Sequence, residues 1–194
     1  MNSERLAKKL VGPIKKAVTT LPEPTLTALE EAKNNEEDGA RVQLEAILEA
    51  VDIGEREKIP ICQDTGTPTF YVQLGTNFPG ITELNDFQGA IRRAVQLATE
   101  EVPIRPNTVH PLTGKNAGDN TGKYIPWIDW TVVDSSELKI TYLPKGGGST
   151  NMSQLSMMTP GRGIKGVKEI VLERIASDSG NNHTRTEKTT AVNP

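Results

Sequence analysis

The chain has 194 residues, 35% apolar and 24% charged, enough for one ordinary domain with a packed core. Its 22 basic and 25 acidic side chains give a net charge of −3, and only 4% of residues are aromatic. It therefore offers neither the basic field nor the stacking platforms that nucleic acids bind. No apolar run exceeds three residues, which excludes a membrane-spanning helix and an apolar leader and predicts a cytoplasmic protein.

The first 57 residues read as helical. Leu21-Pro22-Glu23-Pro24 ends one helix and starts another, because proline suits a first helical turn and not an interior. Ala40, Leu44, Ile47, Leu48 and Val51 then recur at helical spacing and predict an amphipathic helix, which Ile59-Pro60 closes. Phe70, Val72 and Leu74 alternate with Tyr71 and Gln73, the period of a strand. Phe87, Ala90, Ile91, Ala94, Val95 and Ala98 form the stripe of the next helix, with Asn85 or Asp86 as its cap, and Pro103, Pro106 and Pro111 stop it.

Arg105 to Pro126 shows no periodicity; a 22-residue loop inside a domain is usually functional or disordered. Ile128, Trp130 and Val132, then Leu138, Ile140 and Tyr142, alternate on either side of Asp134-Ser135-Ser136 and predict a hairpin. Gly146-Gly147-Gly148 follows its second strand, and Val167 to Ile175 reads as a last helix. Ser177 to Thr190 holds no apolar residue and reads as a solvated tail. The expectation is an α+β fold, a helical N-terminal portion packed on a small, mainly antiparallel sheet with the motif loops meeting at one edge. Residues 1–176 would form the catalytic-type domain and 177–194 a polar, disordered tail.

Three polar, glycine-rich segments hold the candidate chemistry. In Ile61-Cys62-Gln63-Asp64-Thr65-Gly66-Thr67 a thiolate could bind a soft metal, an amide could hold a substrate oxygen and a carboxylate could move a proton. Equally, a lone cysteine is usually a small buried hydrophobe, and Asp-Thr-Gly suits a helix cap or tight turn. Between Arg105 and Thr121, Arg105 could clamp a carboxylate through paired hydrogen bonds, with Lys115 and Lys123 adding charge; an ordinary surface loop fits the segment as well. His110 reads as a loop hydrogen-bonder. In Lys145-Gly146-Gly147-Gly148-Ser149, consecutive glycines let backbone N–H groups converge on an anion beside a lysine, or simply form a flexible turn. The segment is not a Walker loop, since no Gly-Lys-Ser/Thr ends it.

Taken in order, Pro60 to Thr67, Arg105-Pro106-Asn107 with Asn116 to Gly122, and Lys145 to Ser149 with Asn151 resemble the iron–sulfur hydro-lyases. These are class I fumarate hydratase and L-tartrate dehydratase, in the two-subunit form where this chain would be the alpha subunit. The resemblance runs to about Glu173 and implies reversible addition of water across the double bond of a dicarboxylate, fumarate to malate, a reaction of the tricarboxylic acid cycle. In that family three thiolates hold a 4Fe–4S cluster with one iron open to substrate. By resemblance Cys62 would be one ligand, Asp64 the proton donor and acceptor, and Gln63 a substrate hydrogen-bonder. Arg105 would hold one carboxylate, and the backbone of Gly146, Gly147 and Gly148 beside Lys145 would orient the other end. A beta subunit would supply the base for the carbon-bound proton.

The family's second and third cysteines have no counterpart, since Cys62 is the one cysteine of the sequence. The helix from Val167 leads instead into Asp178 and a hydrophilic stretch. An interrupted alpha subunit is the first expectation, for fumarate or alternatively for L-tartrate. A non-enzymatic dicarboxylate-binding or subunit-stabilising remnant without the cluster is the second, and a phosphate-binding domain on the glycine turn the third.

Overall fold

The computed structural model of the chain describes residues 3–80, 86–148 and 153–179. Leu6, Leu10, Ile14 and Val18 stand four residues apart, so they line one face of helix α1 (Ser3–Thr19), and that face is buried together with Ala7 and Val11. It packs on α4 (Phe87–Glu101), whose Ala90, Ala94 and Ala98 form a row of small side chains that lets the two helices approach closely. Of the two expected caps for α4, Asp86 acts as one, accepting a 2.7 Å hydrogen bond from the Gly89 N–H; Asn85 lies outside the described residues.

Under these helices lies a three-stranded sheet. Strand β1 (Thr67–Gly75) is central, paired in parallel with β2 (Trp127–Val133) and antiparallel with β3 (Leu138–Lys145). Phe70 faces Ile128 on one side and Tyr142 on the other. With Val72 it is wholly buried against the helices, each such side chain contributing about 1.5–3 kcal/mol. Burial and the ring of Phe70, 5.0 Å from that of Tyr142, raise the Tyr142 phenol well above its ordinary titration range. The α+β class holds, and the sheet is mixed, with one pairing of each kind.

The expected hairpin between Ile128–Val132 and Leu138–Tyr142 does not form, because β1 lies between the two strands. The short connection after β2 instead crosses the end of β1. There Gly75 N–H donates to Glu137 O at 2.8 Å, Thr76 N–H to Val133 O at 2.9 Å and Asn77 N–H to Ser135 O at 3.0 Å. A β-carbon on Gly75 would collide with Ser135 O and lie 2.7 Å from Glu137 O, so the crossing depends on a residue without a side chain.

Helices α2 (Glu23–Asn35) and α3 (Asp38–Glu57) pack on one another, broken where the proline pair predicts. Of the apolar stripe expected on α3, only Val51 is buried, and Ile47 is 45% exposed.

The chain divides into two compact units, Met1–Gly147 and Gly148–Pro194. Within the second, a 3-10 turn (Pro160–Arg162) opens α5 (Gly163–Ser179), longer at both ends than the expected Val167 to Ile175. Arg162 and Glu169 form an ion pair at 3.0 Å on its surface. The expected polar tail beyond Ser179 lies outside the described residues. Among those described, no helix is long and apolar enough to cross a membrane.

Candidate functional site

The segment leading into β1 is anchored at both ends. Ile61 N–H donates to Val18 O of α1 at 3.0 Å. Gly66, at φ +78°, lies so close to β3 that an added β-carbon would be 2.8 Å from the backbone carbons of Pro144 and Lys145. This contact presses the Cys62–Asp64 loop against the strand end that feeds Gly146 and Gly147.

Asp64, half-buried, sits where the segments meet. Its Oδ1 accepts from Gly66 N–H and from Asn107 Nδ2, each at 3.3 Å, and its Oδ2 accepts from Gly147 N–H at 2.6 Å. One carboxylate therefore joins the Asp-Thr-Gly turn, the 105–121 loop and the glycine turn. The tight-turn role of Asp64 is realised in its bond to Gly66, alongside the convergence that chemistry would need.

The long loop from Arg105 is ordered by its own polar groups. The Thr65 hydroxyl donates to Arg105 O at 3.0 Å, and Asn107 Nδ2 also reaches Thr65 Oγ1 at 3.4 Å. Asn107 N–H donates to Asn120 Oδ1 at 2.8 Å. Asn120, 1% exposed and at φ +57°, turns its Nδ2 to Thr99 Oγ1 on α4 and to Arg105 O, both at 3.2 Å. Asn116 closes the outer turn through Pro106 O and Gly118 N–H, each at 2.7 Å. His110 is a loop hydrogen-bonder as expected, its Nδ1 accepting from Leu112 and Thr113 N–H.

Asp119 accepts from Thr121 N–H at 2.9 Å, the Thr121 hydroxyl at 2.8 Å and Gln96 Nε2 at 2.9 Å. Partial burial alone would raise its titration; the bonds from Thr121 and Gln96 outweigh it and hold the carboxyl below the ordinary range.

Cys62 and Gln63 are exposed and make no hydrogen bond among the described residues. Arg105 contributes its carbonyl to the network while its guanidinium is exposed and unbonded among the same residues. Lys145 ends β3 with its side chain exposed. Gly146 and Gly147 have Cα positions from which a β-carbon would stand 3.4 and 3.3 Å from Asp64 Oδ2, so glycine keeps this contact open. Gly148 opens the second unit. Lys123 stacks its ammonium over the Tyr124 ring at 5.3 Å.

A cluster with three thiolate ligands does not fit this donor set by itself. Cys62 is one thiol, and the described residues include no group of three His, Cys, Asp or Glu able to hold a metal ion. The arrangement does offer a carboxylate among backbone donors, with nearby arginine and lysine side chains open to an anionic ligand. Asn107, Asn120 and Thr65 carried no role in the sequence reading beyond motif membership. The one available signal was the density of Asn and Asp in a loop without periodicity.

A family model described as fumarate hydratase (Fumerase) matches residues 7–183. A putative L(+)-tartrate dehydratase subunit alpha of Methanocaldococcus jannaschii is 40% identical over 179 residues, covering 91% of this chain and 62% of that relative. The L(+)-tartrate dehydratase subunit alpha of Escherichia coli K12 is 30% identical over 165 residues, covering 82% and 52%. The chain thus spans between half and two thirds of the length of these curated relatives.

Proposed function

The chain belongs to the fumarate hydratase family, and on that premise we propose that it is the alpha-type module of a hydro-lyase that adds water reversibly to a four-carbon dicarboxylate, fumarate giving malate. The observation that carries the proposal is Asp64, whose two oxygens tie together the three segments on which the resemblance rests.

In the reaction a carbon–carbon π bond is exchanged for a C–O and a C–H bond. Asp64 would relay a proton at its carboxylate, fixed in direction by donors on both oxygens. Arg105 would clamp one substrate carboxylate with its open guanidinium. Gln63 would hydrogen-bond the substrate, and the glycine turn beside Lys145 would receive the other end. Gly147 N–H is engaged by Asp64 Oδ2, so substrate entry there competes with Asp64 for the same donor. The proton on carbon would be handled by a beta-type subunit, a partner suggested by relatives named as alpha subunits.

A 4Fe–4S cluster, when bound, supplies a Lewis acid for the substrate oxygen. This chain would give it one ligand, Cys62, and the remaining thiolates would belong to other polypeptide. A free, exposed cysteine suits the reducing cytoplasm.

A second reading takes L-tartrate as substrate and is favoured by the names of the curated relatives. Calorimetric titration of the chain with fumarate, L-malate, L-tartrate and the monocarboxylate crotonate tests the site. The dicarboxylates are expected to bind and crotonate not; equal binding of all four would sink the proposal. Turnover of fumarate or L-tartrate by the chain combined with a beta-type subunit then decides the substrate, and binding without turnover would indicate a non-enzymatic module.

A further inference from the structure

We infer that Asn107 is a positioning residue that sets the direction of the Asp64 carboxylate and, through it, the seating of the Gly147 N–H. The inference rests on the hydro-lyase proposal for its catalytic consequence, but not for its structural test. Among the described residues Asn107 is the one side chain that donates to Asp64, through Nδ2 to Oδ1 at 3.3 Å, and the same nitrogen reaches Thr65 Oγ1 at 3.4 Å.

The chemistry of those two neighbours dictates the orientation of the amide. A carboxylate oxygen only accepts. The Thr65 hydroxyl proton is directed at Arg105 O, so toward Asn107 that oxygen accepts as well. Both positions demand the NH2 end of the amide and reject its carbonyl, which would face two oxygens.

The main chain of Asn107 is fixed independently. Its N–H is bound to Asn120 Oδ1 at 2.8 Å, and buried Asn120 is tied to Thr99 on α4. A relay therefore runs from a packed helix through Asn120 and Asn107 to Asp64, and ends at Gly147 N–H, 2.6 Å away. With one oxygen on Asn107 and the other on Gly147, the carboxylate cannot rotate about its Cβ–Cγ bond without breaking one contact. Removal of the Asn107 NH2 leaves only backbone donors, neither of them linked to α4.

The test is NMR of the intact chain. The Gly147 amide proton, bonded to a carboxylate, is expected downfield of an ordinary glycine amide. In Asn107→Ala, and in Asn107→Asp, which keeps the size and loses the donor, it should move back toward the ordinary position while the amides of α1 and α4 stay in place. A Gly147 resonance that does not move in a folded variant overturns the assignment. Should both variants fail to fold, the wild-type Asn107 side-chain amide decides. A Hδ2 proton displaced from the free-amide position with a nuclear Overhauser contact to Thr65 supports the inference, and a pair at free-amide positions overturns it. In the beta-paired enzyme, loss of the Asn107 donor should lower kcat roughly ten- to a hundredfold with little change in KM. An inactive wild type would count against the hydro-lyase proposal and leave the NMR result standing.

Discussion

Thr65 and Arg105, 40 residues apart in sequence, are joined by a 3.0 Å hydrogen bond from the threonine hydroxyl to the arginine carbonyl, which also accepts from Asn120. The backbone of Arg105 is therefore held, while its guanidinium is exposed. Arg105→Lys leaves the carbonyl network intact and should not change the melting temperature. It loses paired recognition of a carboxylate, worth about 1.5–3 kcal/mol, so dicarboxylate affinity should fall roughly ten- to a hundredfold by calorimetry. Unchanged affinity would remove Arg105 from the clamp.

Asn120→Leu is expected to destabilise the protein by about 2–4 kcal/mol in denaturant titration. It leaves Asn107 N–H without its acceptor and takes a donor from Arg105 O and Thr99 Oγ1, in a position only 1% exposed. A change within about 0.5 kcal/mol, the range of an ordinary surface substitution, would mean that the buried network is incidental.

Asp119 titrates below the ordinary carboxylate range because Thr121 and Gln96 donate to its ionised form. A depressed folded-state value stabilises the protein above the unfolded value, near 3.9, and the contribution disappears as pH falls through the lower folded value. Asp119→Asn should flatten the acid limb of the stability-versus-pH curve below about pH 4 while keeping an acceptor for Thr121. An acid limb identical to that of the wild type would contradict this account.

Gly75→Ala should cost at least about 2 kcal/mol, because the β-carbon meets the backbone of the β2–β3 connection. Gly12→Ala provides the contrast. That position is an exposed interior turn of α1 with nothing within 4 Å of the added carbon, and the change should stabilise by about 0.5–1 kcal/mol. The two substitutions should move the urea midpoint in opposite directions.

Local pattern carried the elements and not their pairing. The apolar stripes of α1 and α4, the Asp86 cap and the alternation of all three strands are written in neighbouring residues, and they appear where those residues put them. The exchange of a hairpin for two strands flanking β1 is decided by a contact between Gly75 and Ser135, which no periodicity encodes. At the site, the same separation holds. The three motif segments were legible, and Asp64 stood among the candidates. Asn107 and Asn120 were not legible as a relay, because an asparagine in a turn-rich loop looks alike whether it is solvated or buried until its partners on α4 and β1 are known.

The central place of β1 also bears on synthesis. Both strands that satisfy its edges come later in the chain, with Thr69 waiting for Trp127 and Thr67 for Lys145. As the polypeptide leaves the ribosome, α1 and β1 emerge before either flanking strand, so β1 travels with two open edges and the apolar face of α1 without its sheet. Closure comes only when Lys145 is out, and it coincides with delivery of the glycine turn to Asp64. Completion of the sheet and assembly of the site are thus a single late event in the birth of the chain.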